Sequence, residues 1–216
     1  MIAKVITLQN VPESVKVAER CINSAKNYGV QVSKFNAITP ETYHHVIDEN
    51  EINVDHFKEV YSRYENALSA FCSHFSLWKE CLTSRSPYLI LEHDAVFMDT
   101  LPNFFFGDIV NLGEPSYGRY ISPPYIGEGP LISKPYLPGA HCYYITPKGA
   151  KSLINGAKVM AKPTDVYIRK EVFDINEYNP WPVKAVDSFT TIQKEEGIHA
   201  KHSFMQTGKM DIIDVR

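Results

Sequence analysis

The sequence has no CxxC pair, no heptad register, no internal repeat, no low-complexity tract and no run near the roughly 20 apolar residues that a bilayer-crossing helix needs. The four cysteines are Cys21, Cys72, Cys81 and Cys142. If Cys72 and Cys81 share a helix they lie about 13 Å apart, beyond the roughly 7 Å a disulfide spans, so reduced and mostly buried thiols are expected. A dominant charge is missing too: 22 Lys plus Arg stand against 25 Asp plus Glu, a net −3 spread along the chain. Without a basic stripe, nucleic acid is not an expected partner. Residues 1–8 turn polar too early for a signal peptide, which leaves a soluble, cytoplasmic protein as the expectation.

What is present is enough for one sizeable core. With 216 residues and 44% hydrophobic content, a single domain over 1–216 is expected, because two domains would each be small. Residues 3–8 read as a strand, and Pro12-Glu13 opens a helix in which Val15, Ala18, Ile22 and Ala25 recur at helical spacing until Gly29 stops it. Residues 30–37 form a second strand. A β-α-β opening predicts parallel pairing, since two parallel strands need a crossover. Polar residues 39–55 interrupt the pattern. From Ser69, the residues Phe71, Phe75, Trp78 and Leu82 predict a helix of about three turns. Residues 108–112 and 141–145 read as strands. Thr146-Pro147 is a helix start with a side-chain cap and proline at the first helical position, the helix running to about Lys158. Residues 181–186 form a late, short strand.

Between Gly113 and Gly139 lie five glycines, six prolines and four tyrosines in 27 residues. Loops this long are uncommon in compact domains unless they serve as lids or binding surfaces. Tyr117, Tyr120, Tyr125 and Tyr136 offer flat apolar faces with hydroxyls that suit sugar rings; the alternative is a surface excursion whose tyrosines pack back onto the domain.

The most informative stretch is residues 87–97, an apolar run that ends in Glu92-His93-Asp94. A buried strand that delivers two acids at its C-terminal end can hold a hard divalent cation where a phosphate ligand shares it. Alternation along the strand puts Glu92 and Asp94 on one face and His93 on the other. This points to an enzyme of diphosphate sugars. Thr7, Gln9 and Asn10 after the first strand, with Ala37 at the end of the second, sit where a nucleotide is expected in an α/β sheet. Ser73 and His74 are adjacent on one helix and diverge, and no GxSxG elbow exists, so a hydrolase is poorly supported.

Three segments together resemble glycosyltransferase family 25, the group of lipopolysaccharide and collagen galactosyltransferases. These are residues 67–79 around Ser73-His74 followed by Leu89 to Asp94, residues 139–151 (GAHCYYITPKGAK), and residues 163–168 (PTDVYI). The chain departs from the family in having Glu92-His93-Asp94 where Glu-Asp-Asp is usual, Ser69-Ala70 for Gly-Cys, and Val11-Pro12-Glu13 where arginines follow the first strand.

The resemblance implies a GT-A-like α/β sandwich with a mostly parallel central sheet flanked by helices. It implies a Mn²⁺- or Mg²⁺-dependent, inverting transfer of a hexose from a UDP-sugar to a glycan or glycoconjugate hydroxyl. Asp94 is then the first metal ligand, Glu92 a ligand through water or a ribose contact, and His202 or His199 a late ligand. Asp165 is the candidate base with Asp187 in reserve; Ser73, His74 and His93 border the donor. Against Asp165 as base stands the ordinary preference for an acid at a helix N-terminus. Two rival readings are a degenerate nucleotide-sugar or glycan binding module and a metal-dependent nucleotidyltransferase.

Overall fold

The computed structural model describes residues 1–57, 63–137, 139–186 and 189–192, together with the backbone of 211–212. In chain order the elements begin with β1 (Ile2–Thr7), α1 (Pro12–Asn27), β2 (Val32–Asn36), α2 (Tyr43–Asn50), α3 (Tyr64–Ser84), β3 (Tyr88–Glu92) and β4 (Ala95–Phe97). They continue with β5 (Ile109–Asn111), β6 (Gly127–Pro130), β7 (Cys142–Ile145), α4 (Pro147–Val159) and α5 (Thr164–Tyr167). Last come β8 (Asn176–Asn179), β9 (Val183–Ala185), β10 (Phe189–Thr190) and β11 (Asp211–Ile212).

Seven strands form one sheet in the order β2-β1-β3-β7-β5-β8-β6. β1 pairs in parallel with both β2 and β3, and β5 with β8. β3 with β7, β5 with β7 and β6 with β8 are antiparallel. The sheet is therefore mixed, parallel in the β2-β1-β3 third where the β-α-β opening was read. β4 and β9 form a separate antiparallel pair.

Alternation along β3 divides the core. Tyr88 and Ile90 face a cluster with Phe71, Phe75 and Trp78 of α3 and Leu153 of α4, while Leu89 and Leu91 face Ala18, Cys21 and Ala25 of α1. Both faces of the strand are covered, which is why its first four residues are all buried and apolar. The buried face of α1 is made mostly of small residues, Ser14, Ala18, Cys21 and Ala25 beside Val17, and this lets the helix lie close to the sheet. Gly29 ends it at φ +77°, a conformation that costs glycine nothing. α3 is longer than predicted, 21 residues, because Ala67 and Leu68 extend its buried face. α4 begins as read, with the Thr146 hydroxyl accepting from Gly149 N at 3.1 Å. All four cysteines are free and buried. No helix among the described residues is long and apolar enough to cross a membrane.

Phe71 is fully buried and meets Phe57, Trp78 and Tyr167 edge to face at 5.3 to 5.7 Å. Phe71→Ala is expected to lower stability by about 3–5 kcal/mol. Leu82→Ala, on the same helix but 37% exposed, should change it by less than about 1 kcal/mol. Urea unfolding measures both, and equal losses would show that α3 does not pack as described.

Candidate active site

The loops after the parallel strands β1 and β2 enclose a cleft of about 260 Å³ lined by Leu8, Gln9, Asn10, Val11, Asn36, Ala37, Thr39 and Glu41. Its position beyond the strand C-termini is the usual place for a ligand in an open α/β sheet. Gln9 Nε2 donates to Asn36 Oδ1 across the two strand ends. Of the four residues expected here from sequence, Gln9, Asn10 and Ala37 line the cleft. Thr7 does not: it is fully buried, and its hydroxyl donates to Val5 O at 3.2 Å. Ser73 supports the cleft from behind, since its buried Oγ accepts from Ile38 N at 2.8 Å and donates to Ser69 O at 2.9 Å. Asn36, Thr39 and Glu41 were not read from the sequence, because nothing in their local pattern distinguishes them from other polar loop residues. The lining contains no Lys or Arg, in keeping with the missing arginines after β1.

At the end of β3 the chain turns at His93-Asp94 before β4 begins, so strand alternation stops at Glu92. Glu92 continues the Tyr88 and Ile90 side and meets α3, while Asp94 leaves the turn near Cys21 of α1, whose thiol is raised by burial first and then by that charge. The two acids are neighbours through the turn rather than through a shared strand face.

Glu92 Oε1 lies 3.1 Å from His74 Nε2, His74 Nδ1 lies 3.0 Å from the Tyr143 hydroxyl, and Trp78 Nε1 donates to that hydroxyl at 2.8 Å. An indole N–H can only donate, so the Tyr143 oxygen accepts from Trp78 and its proton is available to His74 Nδ1. His74 is then an Nε2–H tautomer that donates to Glu92. Burial holds its pKa down to about 3, so the contact is a hydrogen bond from a neutral ring and not an ion pair. Glu92, whose side chain keeps 30% exposure, is pushed well above the ordinary carboxylate range by its recessed position and then by the charges of Asp94 and Asp165.

His93 Nδ1 pairs with Ser14 Oγ at 2.8 Å, and its ring packs on Phe189 at 5.2 Å. Ser14 Oγ also accepts from Leu8 N at 3.0 Å. One hydroxyl at the start of α1 thus ties the loop after β1 to the turn after β3. His141, 2% exposed, passes its carbonyl to Glu92 N at 3.0 Å, and its ring lies against Gly113, where a Cβ would stand 2.4 Å from Nε2.

Asp165 arrives from the other half of the chain, at the start of α5. It accepts from the Tyr117 hydroxyl and from Val166 N at 2.9 Å. Its recessed position raises its pKa, and the Tyr117 hydrogen bond opposes that rise. The tyrosine-rich segment divides its labour. Tyr117 and Tyr136 stack at 6.4 Å beside Asp165, Tyr120 meets Trp181 edge to face at 5.7 Å, and Tyr125 donates to Pro130 O at 2.8 Å. One pair serves the acid and the other two tyrosines pack onto the sheet edge around β6.

Asp187, His199 and His202 lie outside the described residues. Among the described residues, no group of three His, Cys, Asp or Glu is set to hold a metal ion. The hard carboxylate oxygens of Asp94 and Glu92 suit Mn²⁺ or Mg²⁺ in kind, but with Glu92 engaged by His74 they fall short of a protein-only site.

A mixed α/β sheet with a cleft at its parallel strand ends is a common setting for ligand binding. Residues 5–107 match the model of glycosyltransferase family 25 (LPS biosynthesis protein). No curated protein matches the chain. The match supports the family read from the sequence and, with it, a glycosyltransferase enzyme. It spans the cleft, His74, Glu92 and Asp94; Asp165 lies beyond it.

Because the folded-state pKa of Glu92 is raised above its ordinary 4.5, the native state holds a proton that the unfolded chain releases between those two values. Stability therefore falls as pH rises through that window. Glu92→Gln removes the penalty. The variant should match the parent near pH 4 and melt higher at pH 7 to 8, each kcal/mol being about 2–4 °C in a chain of this size. A difference that does not vary with pH would show that Glu92 carries no such strain.

Proposed function

We propose that this glycosyltransferase moves a hexose, galactose or glucose, from a UDP-sugar to a hydroxyl of a glycan or glycoconjugate, with inversion and with a divalent cation, on a GT-A-like fold. The observation that carries the reading is that Glu92 feels the charges of Asp94 and of Asp165, from separate halves of the chain, while Ser14 ties the turn after β3 to the loop after β1 that lines the cleft. The amides of Gln9, Asn10 and Asn36 offer the donors and acceptors that a uracil needs, and the Glu41 carboxylate can accept from ribose hydroxyls. A nucleoside seated there directs its diphosphate toward the turn at Asp94.

Asp94 is the proposed ligand of Mn²⁺ or Mg²⁺, whose chemistry when bound is to offset the charge that gathers on the leaving diphosphate. Glu92, held by His74, orients the ribose or reaches the cation through water. Asp165 takes the proton of the acceptor hydroxyl as its oxygen bonds to the anomeric carbon and the bond from that carbon to the phosphate oxygen breaks, releasing UDP. Opposite-face attack requires the base and the diphosphate on either side of the sugar, which suits acids carried on α5 and on the turn after β3. The family's LPS label favours a lipopolysaccharide precursor as acceptor, and four free thiols suit the reducing cytoplasm.

UDP with Mn²⁺ at about 100 times its dissociation constant should stabilise the fold by about 2.7 kcal/mol, and a chelator should erase the effect. Asp94→Ala is expected to lose this thermal shift. Asp165→Asn should keep the shift but slow UDP release from a panel of UDP-hexoses with acceptor by about a hundredfold or more. Normal turnover by Asp165→Asn would remove it as the base, and a shift that survives in Asp94→Ala would remove Asp94 as the ligand.

A further inference from the structure

Lys134 is an unusual lysine. It is 8% exposed, and no hydrogen bond or ion pair joins its ammonium to any described residue. Instead Nζ rests over two aromatic faces, 4.9 Å from the Tyr117 ring centroid and 5.6 Å from that of Tyr136. A cation over tyrosine faces is held by the ring quadrupoles and keeps its charge available to a neighbour. That neighbour is Asp165, whose carboxylate accepts from the hydroxyl of the same Tyr117.

The seat is built into the backbone. Leu137 N donates to Ile168 O at 3.0 Å and Lys170 N to Pro135 O at 2.9 Å, with Tyr136 bridging Arg169 in antiparallel fashion. This strap fixes residues 134–137 along the segment that follows α5. Gly118, at φ +66°, leaves the room that the ammonium needs: a Cβ there would stand 2.9 Å from Nζ. The groups that face Asp165 are Tyr117, Tyr136 and Lys134 from the tyrosine-rich segment, Val166 N from its own helix, and Glu92 at longer range from β3.

We propose that Tyr117 and Lys134 act as a positioning clamp on Asp165, the tyrosine aiming the carboxylate and the ring-held ammonium keeping it charged in its recess. The inference rests on the reading of Asp165 as the base. Recessing a carboxylate beside Glu92 works against ionisation, and a base that stays protonated cannot accept the acceptor's proton. The clamp opposes that tendency with a hydrogen bond to one oxygen and a nearby positive charge. Lys134 need not touch substrate to do so, which separates it from the residues that bind donor or acceptor.

The test is the titration of the Asp165 carboxyl carbon by ¹³C NMR, its signal assigned by its loss in Asp165→Asn. Lys134→Gln and Tyr117→Phe should each move the Asp165 midpoint to higher pH, and Lys134→Arg should leave it in place. In UDP-hexose turnover, the acid limb of kcat should move up in the same two variants while the donor KM stays within about twofold. If Lys134→Gln does not fold, Tyr117→Phe decides, since it keeps the ring beneath the ammonium. An Asp165 midpoint unmoved in Tyr117→Phe and in any folded Lys134→Gln overturns the clamp. Normal turnover by Asp165→Asn would overturn the base assignment on its own, a result read independently of the titration.

Discussion

Negative charge gathered at the C-terminal end of β3 is the constraint to which the rest of the site answers. Glu92 sits where solvation is poor and within reach of the charges of Asp94 and Asp165, and like charges in such a place oppose one another's ionisation. A fold keeps such an arrangement only by surrounding it with donors and cations. The His74, Tyr143 and Trp78 relay serves Glu92, and the Tyr117 and Lys134 pair serves Asp165. Both depend on packing at a distance: Trp78 and Tyr143 are fully buried, so the relay is as rigid as the core between α3 and β7.

The two halves of the chain contribute different parts. The segment with the family match supplies the cleft, the turn acids, and the His74 and Trp78 of the relay, whose Tyr143 comes from β7 beyond it. The remainder supplies Asp165 and the tyrosine-rich segment, strapped by backbone hydrogen bonds to the residues after α5. Ser14 joins the loop after β1 to the turn after β3 through a single hydroxyl, so the strand-end cleft and the acid turn form one mechanical unit. Substitutions in α1 that never approach a ligand should therefore be felt at Asp94.

Much of this was legible in the sequence where one local signal dominated. The apolar run of β3, the Thr146-Pro147 start of α4 and the Gly29 stop of α1 each have a single physical cause, and the structure shows each of them. Gln9, Asn10 and Ala37 line the strand-end cleft, and His74 meets Glu92. Other features were hidden because tertiary contacts decide them. β8 is Asn-Glu-Tyr-Asn and β6 is Gly-Glu-Gly-Pro, neither with an apolar alternation; β8 exists because it pairs with β5 and β6, and β6 because it pairs with β8 at the sheet edge. α2 rises from a polar stretch with no buried residue of its own. The turn at His93-Asp94 broke the alternation assumed from the strand. Thr7 was read as a ligand contact because it ends β1, but its inward register buries it. Lys134 gave no sequence signal at all, since only the folded loop sets it on two rings.

The central claim is that the cleft at the ends of β1 and β2 and the turn at Asp94 form one donor site. A crystal structure with UDP and Mn²⁺ bound tests it most directly. The uracil should lie between Gln9 and Asn36, the diphosphate should reach the turn, and the metal density should contact Asp94. A nucleotide seated elsewhere, or a metal with no contact to Asp94, would contradict it.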